Sequence, residues 1–189
     1  NLKDASGSTA LFAAISKGNT QIAKLLLSNG ANANAIDNAG ITPITLASAR
    51  DGTEMLGLLL NAGASIETKT SNGDTVLLRQ IRRPNSDLDA IKYLIKRGAQ
   101  VNAVNNRGET ALMIAASTCQ PEIVNFLLGA QVDANATTNT GYTALMYVAS
   151  VPEHDECLWN RKIAQLLIKH GADVNFQDDR GLTALMLNK

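Results

Sequence analysis

With only two cysteines, the sequence cannot be a disulfide-dense miniprotein. Aromatic residues are scarce at 4%, so Leu, Ile, Val and Ala must build the core. No apolar run approaches the roughly 18 residues that a membrane-spanning helix needs, and no membrane insertion is expected. Neither sign of charge is in excess: 17 Lys and Arg balance 17 Asp and Glu. The basic excess of a general nucleic-acid binder is missing, and no nucleic-acid partner is expected. An initiating Met and a signal peptide are also missing, because the chain opens Asn1-Leu2-Lys3. That opening leads us to expect a processed or trimmed chain. What remains is an ordinary globular balance, 45% hydrophobic and 18% charged over 189 residues, long enough to bury a core.

The strongest signal is internal repetition. A glycine recurs two residues before a threonine: Gly7 and Thr9, Gly40 and Thr42, Gly73 and Thr75, Gly108 and Thr110, Gly141 and Thr143, Gly181 and Thr183. The glycines are spaced by 33, 33, 35, 33 and 40 residues. A second glycine lies 21 residues after Thr9 and Thr42, as Gly30-Ala31 and Gly63-Ala64, and returns as Gly98-Ala99 and Gly171-Ala172. Each unit reads as two short helices. Thr9 is an N-cap candidate whose hydroxyl can accept from a first-turn amide. Ala10 stands at the first helical position, which Pro43 fills in the second unit. Leu11, Ala13 and Ala14 pattern the first helix, Lys17-Gly18-Asn19 turns the chain, and Ile22, Leu25, Leu26 and Leu27 pattern the second. Gly30 supplies the left-handed residue that ends it, and an extended stretch, 32–37, leads onward.

Gly-x-Thr-(Ala/Pro)-Leu, then Ala-Ala, then an Ile/Val-Leu-Leu helix, then Gly-Ala-x-(Val/Ala)-Asn resembles the ankyrin repeat. The resemblance implies an all-α fold, an ankyrin-repeat solenoid of stacked helix-turn-helix units with β-hairpin loops. It covers a single domain over 1–189, with repeats at about 4–36, 37–69, 70–104, 105–137 and 138–177 and a half-repeat at 178–189. There are departures. The family's signature histidine is replaced by Phe12, Thr45, Leu78, Met113, Met146 and Met186, so its hydrogen bonding at that turn is expected to be lost. Two extra residues fall near Arg82-Arg83-Pro84-Asn85-Ser86, and seven fall within 151–160. Gln131 stands where the other units end on glycine. The chain stops halfway through a unit, so missing residues or a short atypical cap is expected.

Chemistry is thin. There is no phosphate-binding glycine loop and no G-x-S-x-G. An enzyme or metal site would have to use His154, Asp155, Glu156 and Cys157 of the 151–160 insertion, with Cys119 or His170, but an inserted loop gives such a constellation no scaffold. No cofactor is expected, and His170 reads as a helix-end residue. In stacked units, Cys119 and Cys157 fall on neighbouring turns, which raises the possibility of a disulfide. Such a bridge favours a periplasmic or secreted location, with the cytoplasm as the alternative.

The resemblance implies a protein partner, met by hairpin tips and first helices on a concave face. Lys17, Arg50 and Arg83 hold equivalent places at the end of first helices, with Arg79 and Arg82 beside them; an acidic partner could use them, although helix C-termini attract cations anyway. Asn34, Asn102, Asn135 and Asn175 recur at one place and read as backbone hydrogen-bonders. Ile41, Asp74, Glu109, Tyr142 and Leu182 share a place without sharing an identity, and tyrosine is a common interface anchor. The expected partner-binding set is Arg50, Arg79, Arg83, Arg107 and Tyr142. The expected function is non-enzymatic protein binding by a chain that is monomeric on its own, in one version a bacterial inhibitor or immunity-type protein. The alternatives are a targeting or substrate-recognition domain of a larger protein, and an enzyme or metal site on the insertion.

Overall fold

Thr9, Thr42, Thr110 and Thr143 each stand in extended conformation at the start of a short helix. The structure is a computed structural model that describes residues 1–49, 53–84, 86–150 and 159–187. The first helices of the repeats are α1 (Ala10–Ser16), α3 (Pro43–Ala47), α5 (Val76–Ile81), α7 (Ala111–Ser117), α9 (Ala144–Ala149) and α11 (Ala184–Leu187). The second helices are α2 (Thr20–Ser28), α4 (Glu54–Asn61), α6 (Leu88–Lys96), α8 (Pro121–Gly129) and α10 (Asn160–Lys169). No strand occurs among the described residues, whose β-structure is one isolated antiparallel bridge, Lys69 with Thr75.

The helix starts correct two expectations. Thr42, Thr75, Thr110 and Thr143 each accept a bond from the backbone three residues on, but Thr9 makes no such side-chain bond. Loss of the signature histidine does not abolish bonding at the turn everywhere. Thr45 Oγ1 accepts the Thr42 N–H at 3.0 Å and closes a reciprocal capping box, and the Met113 thioether accepts the Thr110 N–H at 3.5 Å. Phe12, Leu78 and Met146 instead spend that position on the core, where all three are buried.

Second helices end as expected, with Gly30, Gly63, Gly98 and Gly171 at φ of 80°, 84°, 95° and 88°. The next N–H folds back to the helix, as Ala31 does to Leu26 O at 3.0 Å. Gln131 takes the same conformation at φ 57°, and Cys119 takes it at φ 60°, where Gly18 has 69°. A side chain held there costs roughly 1 kcal/mol. Gln131→Gly is therefore expected to stabilise the protein by about that amount in urea melts; a loss of stability would mean that the glutamine side chain caps a neighbour.

The chain divides into two compact units, residues 1–80 with 89–100 and residues 81–88 with 101–189. In the first, α1 packs on α2 and α3, and α4 packs on α2 and α3. Ile15, Ala23, Ile44, Leu56, Leu59 and Leu94 are fully buried there. Ile22 and Leu25, read from the sequence as patterning α2, are instead exposed, at 44% and 58%. They turn away from α1 and α4, and Ala23 is the buried residue of that helix. In the second unit, α7 packs on α8 and α9, α10 packs on α8 and α9, and α11 rests on α9. Leu112, Ile114, Val124, Leu127, Ile163 and Leu167 form its core.

Between repeats the chain makes a tight hairpin closed in the same way six times. The residue three before the first glycine is Asp4, Asp37, Thr70, Asn105, Thr138 or Asp178, always an oxygen-bearing side chain. Its backbone N–H donates to the carbonyl four residues on, as Asp37 does to Ile41 at 3.0 Å and Asp178 does to Leu182 at 3.0 Å. In five of the six its side-chain oxygen also accepts two tip N–H groups; Asp37 Oδ1 takes those of Ala39 and Ile41 at 2.9 and 2.8 Å. Successive hairpins then bond to each other, Asn38 to Ser6 O in the first unit, and Asn139 to Arg107 O and Asp179 to Thr140 O in the second.

Candidate functional site

The repeated hairpins of the second unit place one carboxylate at the centre of a charged network. Glu109 follows the hairpin glycine Gly108, and its side chain is only 7% exposed. Its Oε2 accepts from Asn105 Nδ2 at 2.7 Å, Arg82 Nη2 at 2.8 Å and Arg107 Nη2 at 3.0 Å. Its Oε1 accepts the Tyr147 hydroxyl at 3.1 Å. Burial pushes the carboxyl up, but the bonds from Asn105 and Arg82 and the charges of Arg82 and Arg107 outweigh it, so its pKa lies below the usual value. Tyr147 is pushed up to about 12, by burial first and then by the neighbouring Glu109 charge. The Tyr147 ring meets Tyr142 edge-on, with centroids 5.5 Å apart.

Tyr142 links this cluster to the next hairpin. Its hydroxyl accepts from Arg180 Nη2 at 3.1 Å, and the guanidinium carbon lies 5.9 Å from the ring centroid. Arg180 is held in turn by Asp178 Oδ2, through Nε at 3.0 Å and Nη2 at 2.9 Å. Desolvation pushes the Asp178 carboxyl up, yet bonds from the Leu182 and Arg180 backbones and the Arg180 side chain bring it below the usual range. The pairing raises Arg180, chiefly through the bond to Asp178.

Of the expected partner-binding residues, Arg50 lies outside the described residues. Arg79 belongs to the first unit, where it is half-buried with its Nε out of reach of solvent and of any hydrogen-bond partner. Arg83, Arg107 and Tyr142 belong to the second unit. There Arg107 and Tyr142 join the network above, and the Arg83 carbonyl accepts from Ser86 Oγ at 2.7 Å. Besides Glu109, five members were not in the expected set: Arg82, Asn105, Tyr147, Asp178 and Arg180. Glu109 was singled out only as a variable flanking residue, but its partners come from three repeats, and it is a buried centre rather than a surface tip.

Of the recurrent asparagines, Asn34 and Asn135 bond backbone, as expected, but reach the neighbouring repeat rather than their own hairpin. Asn34 Nδ2 donates to Gly63 O at 2.8 Å, while its Oδ1 accepts the Ser65 N–H at 2.9 Å. Asn135 brackets Gly171 O and the Asp173 N–H at 2.8 and 2.7 Å. Asn1 makes the same bracket on Gly30 and Asn32, and Glu67 accepts the Gln100 N–H at 2.9 Å. His170 Nδ1 donates to Leu166 O at 2.8 Å and closes α10, a structural task.

His154, Asp155, Glu156 and Cys157 lie outside the described residues, as does nearly all of the insertion. Among the described residues no cluster of His, Cys, Asp and Glu could hold a metal ion, and no helix is long and apolar enough to cross a membrane. Cys119 and Trp159 line one cleft of about 350 Å³ in the second unit, with Ser86, Leu88 and the start of α8.

Short capped helix pairs, left-handed ends and interlocked hairpins define a repeat protein that works through its surface. The family models described as ankyrin repeats in three copies match residues 1–70 and 47–138, and the single ankyrin repeat model matches residues 140–179. The chain belongs to the ankyrin repeat family and has its solenoid fold. The ankyrin repeat domain of Bcl-3, a member of the IkappaB protein family, is 24% identical, with a TM-score of 0.82 over 100% of this chain and 81% of its own. The ankyrin repeat protein EF0377 is 27% identical, with a TM-score of 0.81 over 93% of this chain and 87% of its own. No curated protein matches. Ankyrin repeats are protein-interaction modules, and this chain is such a module.

Proposed function

We propose that this chain binds its protein partner through the hairpin tips and first helices of the second unit, with Arg83, Arg107 and Tyr142 as contacts. One observation carries the proposal. The repeat dictates the glycines, the threonine caps, the turn-closing oxygens and the asparagine brackets, but it does not dictate Arg107, Tyr142 or Arg180, and these cluster on successive hairpins. Side chains that serve no repeat-wide role, gathered at one surface and held in place, are what a partner reads. The role we favour is inhibition, the module covering a toxin or enzyme as an immunity-type protein does. The test is capture of partners from the source cell's extract by wild type and by Arg83→Gln/Arg107→Gln. The variant should lose the partner at least tenfold, with a shallower salt dependence, and its melt should fall only slightly, because Arg82, Asn105 and Tyr147 still hold Glu109 when the Arg107 bond is lost. Unchanged capture would move the contact elsewhere, and a captured partner whose activity is unaffected would remove the inhibitor role.

The bridge between Cys119 and Cys157 is part of the same proposal. Its support is that Cys119 lines a cleft with Trp159, two residues beyond Cys157. Such a bond would close a loop of about 40 residues and stabilise by roughly 4 kcal/mol on the chain-entropy view; it would favour an oxidising compartment. Thiol counting on denatured, non-reduced protein should find none free. Two free thiols, with a melt that reductant does not move, would overturn both the bridge and the compartment.

A further inference from the structure

We propose that the second unit recognises an extended, carboxylate-bearing segment of its partner, gripped by Arg107 and Arg180 with Tyr142 between them; this rests on the protein-binding reading above. The order of the three follows from the hairpins, which bond to one another in sequence: Asn139 N–H to Arg107 O at 3.0 Å, and Asp179 N–H to Thr140 O at 3.3 Å. Arg107 thus stands on the fourth repeat's tip, Tyr142 beside the fifth's and Arg180 on the sixth's.

The sign of the partner's charge follows from what is buried and what is not. The negative members are sunk, with Glu109 7% and Asp178 1% exposed in their side chains, whereas Arg107 is 70% and Arg180 62% exposed. The outward face of the network is therefore cationic although the chain as a whole is neutral. Each guanidinium is held by its carboxylate through Nη2, and Arg180 also through Nε, so these bonds leave Nη1 of both and Nε of Arg107 for a partner on two largely exposed side chains. A guanidinium already fixed in orientation loses little freedom on meeting a planar carboxylate. The exposed Asp179 is the competing charge, and it lies over Gly141, towards the preceding hairpin.

Spacing narrows the ligand further. Packed helices lie about 8–10 Å apart, so tips two repeats apart are separated by about 20 Å. An extended chain covers about 3.3 Å per residue, which puts the two carboxylates about six residues apart, with an apolar or aromatic residue midway against Tyr142.

The test uses the whole protein and a labelled twelve-residue peptide with two glutamates six residues apart, its Gln twin and its Lys twin, read by fluorescence anisotropy from about 50 to 300 mM salt. We expect the Glu peptide to bind at least tenfold tighter than the Gln twin and to weaken as salt rises. Arg180→Gln should erase that preference and Arg180→Lys should keep part of it, with the melts of both variants confirming the fold. Equal binding of the Glu and Gln peptides would overturn carboxylate recognition while leaving the protein-binding reading intact. Failure of every peptide, tighter binding of the Lys twin, or no effect of Arg180→Gln would also overturn it. The protein-binding reading fails separately, if the captured partner ignores Arg83→Gln/Arg107→Gln.

Discussion

Glu109→Ala is expected to destabilise the protein by about 2–3 kcal/mol, more than an ordinary surface substitution can. Removing one partner of a buried pair costs about 3–5 kcal/mol when the other charge is left dry. Here Arg82 and Arg107 are 34% and 70% exposed and can turn to water, which lowers the figure. Asn105, which is buried, and Tyr147, which is half-buried, would each lose an acceptor and keep part of the cost. Glu109→Gln preserves the shape and should cost less, because the amide still accepts one strong bond. The same carboxylate sets the acid limb of stability. Its pKa is lowered by folding, so its contribution is complete above the unfolded value and fades as pH falls through the folded one. Tyr147 works in the opposite direction: with its pKa raised to about 12, the folded state holds a proton that the unfolded chain gives up near 10. Stability should therefore fall between about pH 10 and 12, by roughly 1 kcal/mol after discounting for partial exposure. Urea midpoints of wild type, Glu109→Gln and Tyr147→Phe across pH check both limbs; a Glu109→Gln acid limb identical to wild type would remove Glu109 as its source.

Gly108→Ala should cost about 3–4 kcal/mol, while Gly181→Ala should cost only about 1–2. Both glycines have φ 75°, so the left-handed penalty is common to the two. A Cβ on Gly108 would lie 2.8 Å from Asn139 N and 3.1 Å from Thr138 C, both backbone, whereas one on Gly181 meets nothing within 4 Å. Relieving that clash means parting two hairpins and straining the bonds from Asn139 to Arg107 O and Asn106 O, worth about 1 kcal/mol each. Equal losses in thermal or urea melts of the two variants would show that hairpin contact adds nothing beyond the backbone conformation.

The repeat, its helix pairs and its left-handed ends were legible because each is dictated locally: Thr42, Pro43 and Gly63 act within one turn of themselves. The turn-closing oxygens of Asp37, Asn105 and Asp178 were equally local and equally readable, but their types differ, and a search for one recurring residue passes over them. The charged network was not legible. Arg82 ends a first helix, Glu109 flanks a hairpin and Tyr147 lies inside α9, and nothing in their separations along the chain joins them until repeats are laid side by side. A residue that varies among repeats can therefore be buried, as Glu109 is at 5%, because a neighbouring repeat supplies what its own does not. The outer-helix pattern failed at Ile22 and Leu25 for a related reason: periodicity marks an apolar face but does not say whether another element lies against it.

The asparagine brackets bear on how such a chain comes apart. Asn1, Asn34 and Asn135 each fasten a carbonyl and an amide about one repeat further on, so the last turn of a second helix is secured by a residue belonging to the repeat before it. The second repeat is thus fastened by the first and the fifth by the fourth, like buttoned cuffs. Under a pulling load these repeats should each yield as one step that begins with the loss of a single amide side chain's pair of bonds.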